Sequence, residues 1–314
     1  MSKITNKLNL PKQLVDLISS DYQPKEHQYS CTTILKPTRQ VILERRHNDE
    51  IEQDVSEMVW CIFGILAHSV IENSQEDVGQ FKEEKLKVDL GKYCKELEGY
   101  YLSGRSDMID LLDKCITDWK TASCWKVIYK DFEDWRKEML IYAWAVKDMG
   151  FEIDKAQAIA FLKDHNKTKA KVDSKYPQLP VWVEKFKFTN KDFEDIEEFI
   201  KNRFLELKKY ENVSDDQLPL CTEEERWSTG WQYKVYKKGN KVATKVHSTL
   251  EDAQKHLENL ENNYPGVYEL KTFEPTYKKC EEYCSCCKFC SFWQEHYGNR
   301  KGEENGSRDS ATTS

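Results

Sequence analysis

The chain has 314 residues, of which 39% are hydrophobic, 12% aromatic and 33% charged, enough apolar mass for one large domain or two modest ones. No apolar run reaches the roughly 18 residues that a membrane helix needs, and the opening Met-Ser-Lys-Ile-Thr-Asn-Lys has no apolar signal core; a cytoplasmic protein without a membrane partner is expected. The net charge of −7 argues against a protein that coats nucleic acid non-specifically, but leaves room for an enzyme with a local basic path.

In chain order, residues 1–55 read as an N-terminal helical region. Leu10 to Ile18 is expected as a short helix, Tyr29 to Leu35 as a further helical stretch, and the basic segment Arg39 to His47 as a third. Ser56 to Glu72 is a strong helix, because Met58, Val59, Ile62, Phe63, Ile65 and Leu66 form a broad apolar stripe. Residues 86–120 read as strands: Leu86 to Leu90 alternates, Tyr100 to Ile109 follows, and Cys115 to Trp119 is short and expected to be mostly buried. Phe132 to Met149 is a second strong helix, stopped at Gly150. Gln157 to Leu162 and Val181 to Phe188 are expected strands, and Lys191 to Tyr210 an amphipathic helix.

Asn212 to Pro219 is polar and ends in proline, which marks a boundary after the 56–211 core. The segment 212–297 contains a compact unit of its own. Trp231 to Lys237 and Lys241 to Val246 read as a hairpin turning at Lys238-Gly-Asn240. Thr249 to Asn262 follows as a helix and Val267 to Phe273 as a last strand, a ββαβ order. Residues 298–314, rich in Gly, Asn, Glu and Ser, are expected to be a disordered tail.

The middle of the chain carries acids on neighbouring strand segments. Asp107 and Asp118 are separated by a strand, a turn and a returning strand, so both carboxylates can converge on one hard cation such as Mg²⁺ or Mn²⁺. Lys120 follows Asp118 by two and shares its strand face; a lysine there can orient water or offset charge building up on phosphorus. Asp110 is the reserve candidate. On the flanking helix Gly64, His68 and Glu72 recur every fourth residue and share a face, where glycine permits close approach and histidine can ligate. Glu138 and Tyr142 are likewise spaced by four on the second helix.

The cysteines form a second signal. Five of the eleven lie between Cys280 and Cys290, and Cys221 stands about sixty residues upstream. In a reducing compartment clustered thiols more often bind metal than form disulfides. Cys221, Cys280, Cys284 and Cys290 supply four thiolates, a set that suits an iron–sulfur cluster or structural zinc. A zinc site using Cys280, Cys284, Cys287 and Cys290 is the alternative, and Cys286 adds a further thiol.

Four motifs occur in order: Gly64-Ile-Leu-Ala-His68, Gly104-Arg-Ser-Asp107, Asp118-Trp-Lys120 and Glu138-Met-Leu-Ile-Tyr142. Across residues 56–150 they resemble the RecB-like branch of the PD-(D/E)xK nuclease superfamily, in a phage-type form, with Glu138 standing where the family has glutamine. The resemblance implies an α/β, restriction-endonuclease-like core of a central mixed sheet flanked by helices. It also implies His68, Asp107, Asp118 and the Trp119 carbonyl as metal ligands, Lys120 as catalytic lysine and Tyr142 as support for the DNA backbone. The cysteine arrangement is similar to the CRISPR-associated and helicase-linked relatives, which implies a [4Fe–4S] cluster closing the small unit. The expected activity is that of an Mg²⁺- or Mn²⁺-dependent DNA exonuclease on linear ends, in recombination, repair or phage DNA processing, with a helicase or recombinase as possible supplier of the DNA. A flap- or junction-cutting endonuclease and a non-catalytic DNA-binding adaptor are the rival readings.

The nine tryptophans include Trp119, Trp125 and Trp135 near the central acids, where rings can stack on bases or simply fill core. Arg39, Arg45, Arg46 and His47, and separately Lys234, Lys237, Lys238, Lys241 and Lys245, form basic patches suited to a DNA backbone or to a solvated face.

Overall fold

The computed structural model describes residues 3–18 and 24–298; the expected disordered tail, Gly298 apart, lies outside them. The chain divides into two compact units, Met1–Val213 and Ser214–Ser314.

In the first unit, β1 (Lys3–Thr5) pairs in parallel with β3 (Glu52–Asp54). The remaining strands make one mixed sheet: β2 (Gln28–Ser30), β4 (Gln80–Asp89), β5 (Tyr101–Asp110), β6 (Cys115–Ala122), β7 (Lys155–Leu162) and β8 (Val181–Lys187). Its order is β2-β5-β6-β7-β8, with β4 along the other edge of β5. The β2–β5 and β6–β7 pairs are parallel and the rest antiparallel. The helices are α1 (Lys12–Ile18), α2 (Thr38–Arg46), α3 (Val59–Glu72), α4 (Cys124–Tyr129), α5 (Glu133–Asp148), α6 (Lys167–Val172) and α7 (Asn190–Tyr210).

Helix α5 positions the centre of this unit. Glu133 and Asp134 open it and Lys147 closes it, in keeping with the helix dipole, and Gly150 with φ +93° ends the run. Every residue from Met139 to Val146 is buried, because the helix packs between the sheet and α7. Helix α7 begins with a capping box in which Thr189 and Asp192 satisfy each other's backbone N–H groups at 3.3 and 2.7 Å.

The expected helix over Tyr29 to Leu35 is instead β2 followed by a single tight turn, Thr33–Leu35. The Ser30 hydroxyl takes the Thr33 N–H at 3.0 Å, a local bond that competes with helix formation. A tight turn over Val55–Met58, capped by the Asp54 side chain accepting the Ser56 N–H, also precedes α3, so that helix starts later than its apolar pattern, at Val59. Strand β6 runs past Trp119 to Ala122, which places Lys120 within the sheet.

In the second unit β9 (Gln232–Lys237) is central, flanked by β10 (Lys245–His247) and β11 (Tyr268–Phe273), both antiparallel to it. Helix α8 (Leu250–Asn263) packs on one face of this sheet, where Val235 and Ala253 are fully buried. The return strand is shorter than Lys241 to Val246: Val242 stays exposed, and regular pairing begins at Lys245. After β11 the chain enters a wide turn, Lys279–Tyr283, then a tight turn at Cys287–Phe289 and α9 (Ser291–Tyr297). Tyr277, Phe292 and Tyr297 form the core of that end, with Cys280 and Cys290 packed against them.

Candidate functional site

Strand β5 has a different neighbour at each end of one edge. Its ladder with β2 ends at Ser30↔Ser103, and its ladder with β6 begins at Met108↔Thr117. Gly104-Arg-Ser-Asp107 lies in the interval, where β6 has parted from β5. The opening is bridged by a side chain: the Trp119 N–H donates to Asp107 Oδ2 at 2.8 Å. One Asp107 oxygen is thereby fixed and the other, Oδ1, lies 3.3 Å from His68 Nδ1 on α3.

On the far side of β5 runs the β4 ladder. Lys82 pairs with Met108 and Glu84 with Ser106, so the register is unbroken and Glu83, with φ +52°, stands directly opposite Asp107, where cross-strand neighbours share a face of the sheet. Donor atoms of His68, Glu83 and Asp107 then lie within 4.8 Å of one another. One imidazole nitrogen and two carboxylates form a donor set suited to a divalent cation such as Mn²⁺ or Mg²⁺. The hydrogen bond that the His68 imidazole donates to Asp107 raises its pKa, against burial, which lowers it. Burial pushes the Glu83 carboxyl up, opposed by the Arg105 guanidinium that pairs with it. Nothing in the sequence around Glu83 marks it as part of this group, since it joins by standing opposite Asp107 in the β4–β5 pair.

Asp118 and Lys120 reach the same region from β6. The Lys120 ammonium lies 2.8 Å from Asp118 Oδ2 and 2.8 Å from Glu138 Oε2 on α5. Burial pushes the Asp118 carboxyl up to about 7, with Lys120 pulling it down and Asp107 and Glu138 adding repulsion. For Lys120 burial acts against the charge, yet the two carboxylates outweigh it and its pKa is raised. Tyr142 is buried one turn further along α5, and its hydroxyl pKa is raised chiefly by that burial.

Gly104 is where Tyr142 meets the sheet. A Cβ there would sit 2.7 Å from Cys31 Sγ and 2.8 Å from Tyr142 Cε1. Gly64, expected to permit a similar approach, has open space around it. Glu72 lies on the margin, 3.0 Å from the Arg105 guanidinium. Asp110 is used elsewhere: it accepts the Asp113 N–H and a Gln80 side-chain N–H at the end of the strand.

In the second unit the fold draws Cys221 to the C-terminal cysteines. Burial, then nearby Glu225, Cys290 and Cys284, push the Cys221 thiol up to about 11. Burial, then Cys284, Cys221 and Cys290, push Cys280 up to about 12. The four thiols thus lie in one neighbourhood, where four thiolates would repel and a bound cation would relieve the repulsion. Cys286 is buried, with its sulfur 3.6 Å from that of Cys284.

No family model matches the chain, and no curated protein matches it. Among solved structures, the protein designated SSO0001 is 15% identical, over 62% of this chain and 82% of that chain, with a TM-score of 0.42. A phage-related exonuclease from Haemophilus somnus 129PT is 12% identical, over 60% of this chain and 96% of that chain, with a TM-score of 0.33. No helix among the described residues is long and apolar enough to cross a membrane.

Proposed function

We propose that the chain is a divalent-cation-dependent DNA nuclease of the RecB-like PD-(D/E)xK type, acting as an exonuclease on linear DNA. The observation that carries this reading is the meeting of His68, Glu83 and Asp107 beside the buried Asp118–Lys120–Glu138 chain. His68, Glu83 and Asp107 would hold Mg²⁺ or Mn²⁺, with Asp118 and the Trp119 carbonyl at its margin. When bound, the cation polarises the phosphodiester and acidifies water.

The remaining roles belong to the protein. Asp107 is oriented by the Trp119 N–H, so its free oxygen needs little reorganisation to ligate. Lys120 keeps its proton under the influence of two carboxylates. It therefore serves as a fixed positive charge toward the phosphoryl oxygens and not as a proton acceptor. Glu138, where the family has glutamine, shares that ammonium with Asp118 and sets its direction. Tyr142 supports the wall along which a DNA backbone would run. The setting would be recombination, repair or phage DNA processing, with a helicase or recombinase supplying the end.

Cys221, Cys280, Cys284 and Cys290 would hold a [4Fe–4S] cluster. Thiolates about 2.3 Å from a single zinc ion lie within about 4.6 Å of one another. A cluster with an iron for each thiolate takes the same four ligands at wider sulfur separations.

The test is degradation of end-labelled linear DNA with Mg²⁺ or Mn²⁺, wild type beside Asp118→Ala and Lys120→Ala. Cation-dependent loss of label in the wild type alone is expected. Cutting of closed circular DNA would make the enzyme an endonuclease, and an inert, fully metallated wild type would leave a DNA-binding adaptor.

A further inference from the structure

The three-stranded sheet of the second unit has a helix on one face only. Register assigns its side chains, because alternate residues point to opposite sides. Val235 is fully buried against α8, and His247, in phase with it, reaches His256 of α8 at 3.0 Å. Gln232, Lys234 and Tyr236 of β9 therefore point the other way, in register with Glu269, Lys271 and Phe273 of β11 and Val246 of β10.

That open face interleaves rings and cations. The Lys234 ammonium lies 4.5 Å from the centre of the Phe273 ring, and the Lys271 ammonium 5.3 Å from that of Tyr236. The two rings are 6.5 Å apart. Phe273 is 38% exposed and Val246 51%. The face continues into a groove of about 370 Å³ bounded by Lys234 and Phe273 on the sheet and by His296 and Tyr297 on α9. Glu269, pairing with Lys271 at 2.8 Å, and Glu274 at the groove oppose the positive charge; Lys238 and Lys241 lie in the hairpin connection, whereas Lys237 and Lys245, in phase with Val235, point to the α8 face.

We propose that this face binds an unpaired polynucleotide strand. Tyr236 and Phe273 offer two stacking surfaces, the groove admits a base beside Phe273, and Lys234 and Lys271 meet the phosphates. Aromatic rings spaced along a positively charged surface are what unpaired bases and their backbone require. An apolar protein partner would strip water from the Lys234 ammonium without supplying a counter-charge, whereas a phosphodiester backbone supplies one. The inference does not depend on the nuclease reading, because none of these residues belongs to that site.

The test uses the full chain in EDTA, so that no divalent-dependent cleavage intervenes. Fluorescence anisotropy with labelled oligothymidine and oligouridine gives the affinity, and photocrosslinking with an iodouracil-substituted oligomer maps the contact. The Tyr236→Ala/Phe273→Ala double variant should bind about ten-fold more weakly or worse, with crosslinks lost from the β9 and β11 peptides, while Phe273→Trp should keep both. Binding of either oligomer in this pattern supports the proposal, and the preferred one identifies the sugar. Undiminished affinity of a double variant with wild-type ellipticity, or crosslinks confined to residues 1–213, would overturn it. A chain inert on labelled DNA that still crosslinks at Phe273 would sink the nuclease reading and leave this one standing.

Discussion

At Glu83 strand pairing decides what the proposed site contains. Standing directly opposite Asp107, it brings a second carboxylate to the same face of the sheet, where it meets His68 and Asp107. Glu83→Gln keeps the size of the side chain and removes the charge, so Mn²⁺ affinity measured calorimetrically should fall about ten-fold or more. An unchanged affinity would place the cation with Asp118 and Asp107 instead. Gly104 makes a steric prediction. With Cys31 Sγ and a Tyr142 ring carbon both inside 3 Å of a new Cβ, Gly104→Ala should destabilise the fold by about 1–3 kcal/mol. Adding Cys31→Ala should recover part of that loss, because the two positions share one contact; additive denaturation midpoints would refute the steric account. These two residues mark the range of what sequence reading reaches. Gly104 stands three before Asp107 in a legible motif, whereas Glu83 depends on a strand pairing with Asp107 that no spacing announces.

Elements with a strong period were legible. Helix α5 and helix α7 lie where their apolar spacing places them, since burial on nearly all sides or on one face leaves a clear pattern. Helix α3 shows the limit of that reading. Its stripe predicts a buried face, yet only Ile62 of the stripe is buried, against Ile18 and Val55, while Val59, Phe63, Ile65 and Leu66 are exposed. Period reports which residues share a face and not what covers it. Tyr29 to Leu35 misleads for a local reason, the Ser30 hydroxyl bond that closes a turn. At α7 the capping box gives a pH dependence. The Thr189 N–H, then Arg136, hold the Asp192 carboxyl down to about 2 against burial, below the roughly 3.9 of an unfolded chain. A depressed folded pKa contributes stability that is complete above about pH 4 and is lost as pH falls toward 2. Asp192→Asn should therefore be less stable than wild type at pH 6, with the gap in urea midpoint closing near pH 2. Separately, Thr189→Ala should cost about 1 kcal/mol. A gap independent of pH would show that the carboxylate charge does not matter to the cap.

The two units differ in how they can be held together. The first has a core that runs through α5, α7 and the mixed sheet, with Phe204, Ile200, Met139 and Ile116 almost wholly enclosed. The second buries few large side chains, chiefly Val235, Tyr277, Phe292 and Tyr297. Small domains with cores of this size commonly need a staple, and metal-binding free energy then becomes folding free energy. The cysteine spacing was legible because it needs no register, while what the proposed site would hold depends on sulfur separations that spacing does not announce. Cys221→Ser and Cys280→Ser should each lower bound iron and acid-labile sulfide and selectively lower the melting transition of Ser214–Ser314. Cys61→Ser, at an exposed position on α3, should do neither. Bound zinc without iron would replace the cluster by a single ion and keep the staple. Full thermal stability of the second unit after complete metal removal would mean that Tyr277, Phe292 and Tyr297 suffice as its core and that the thiols serve something other than folding.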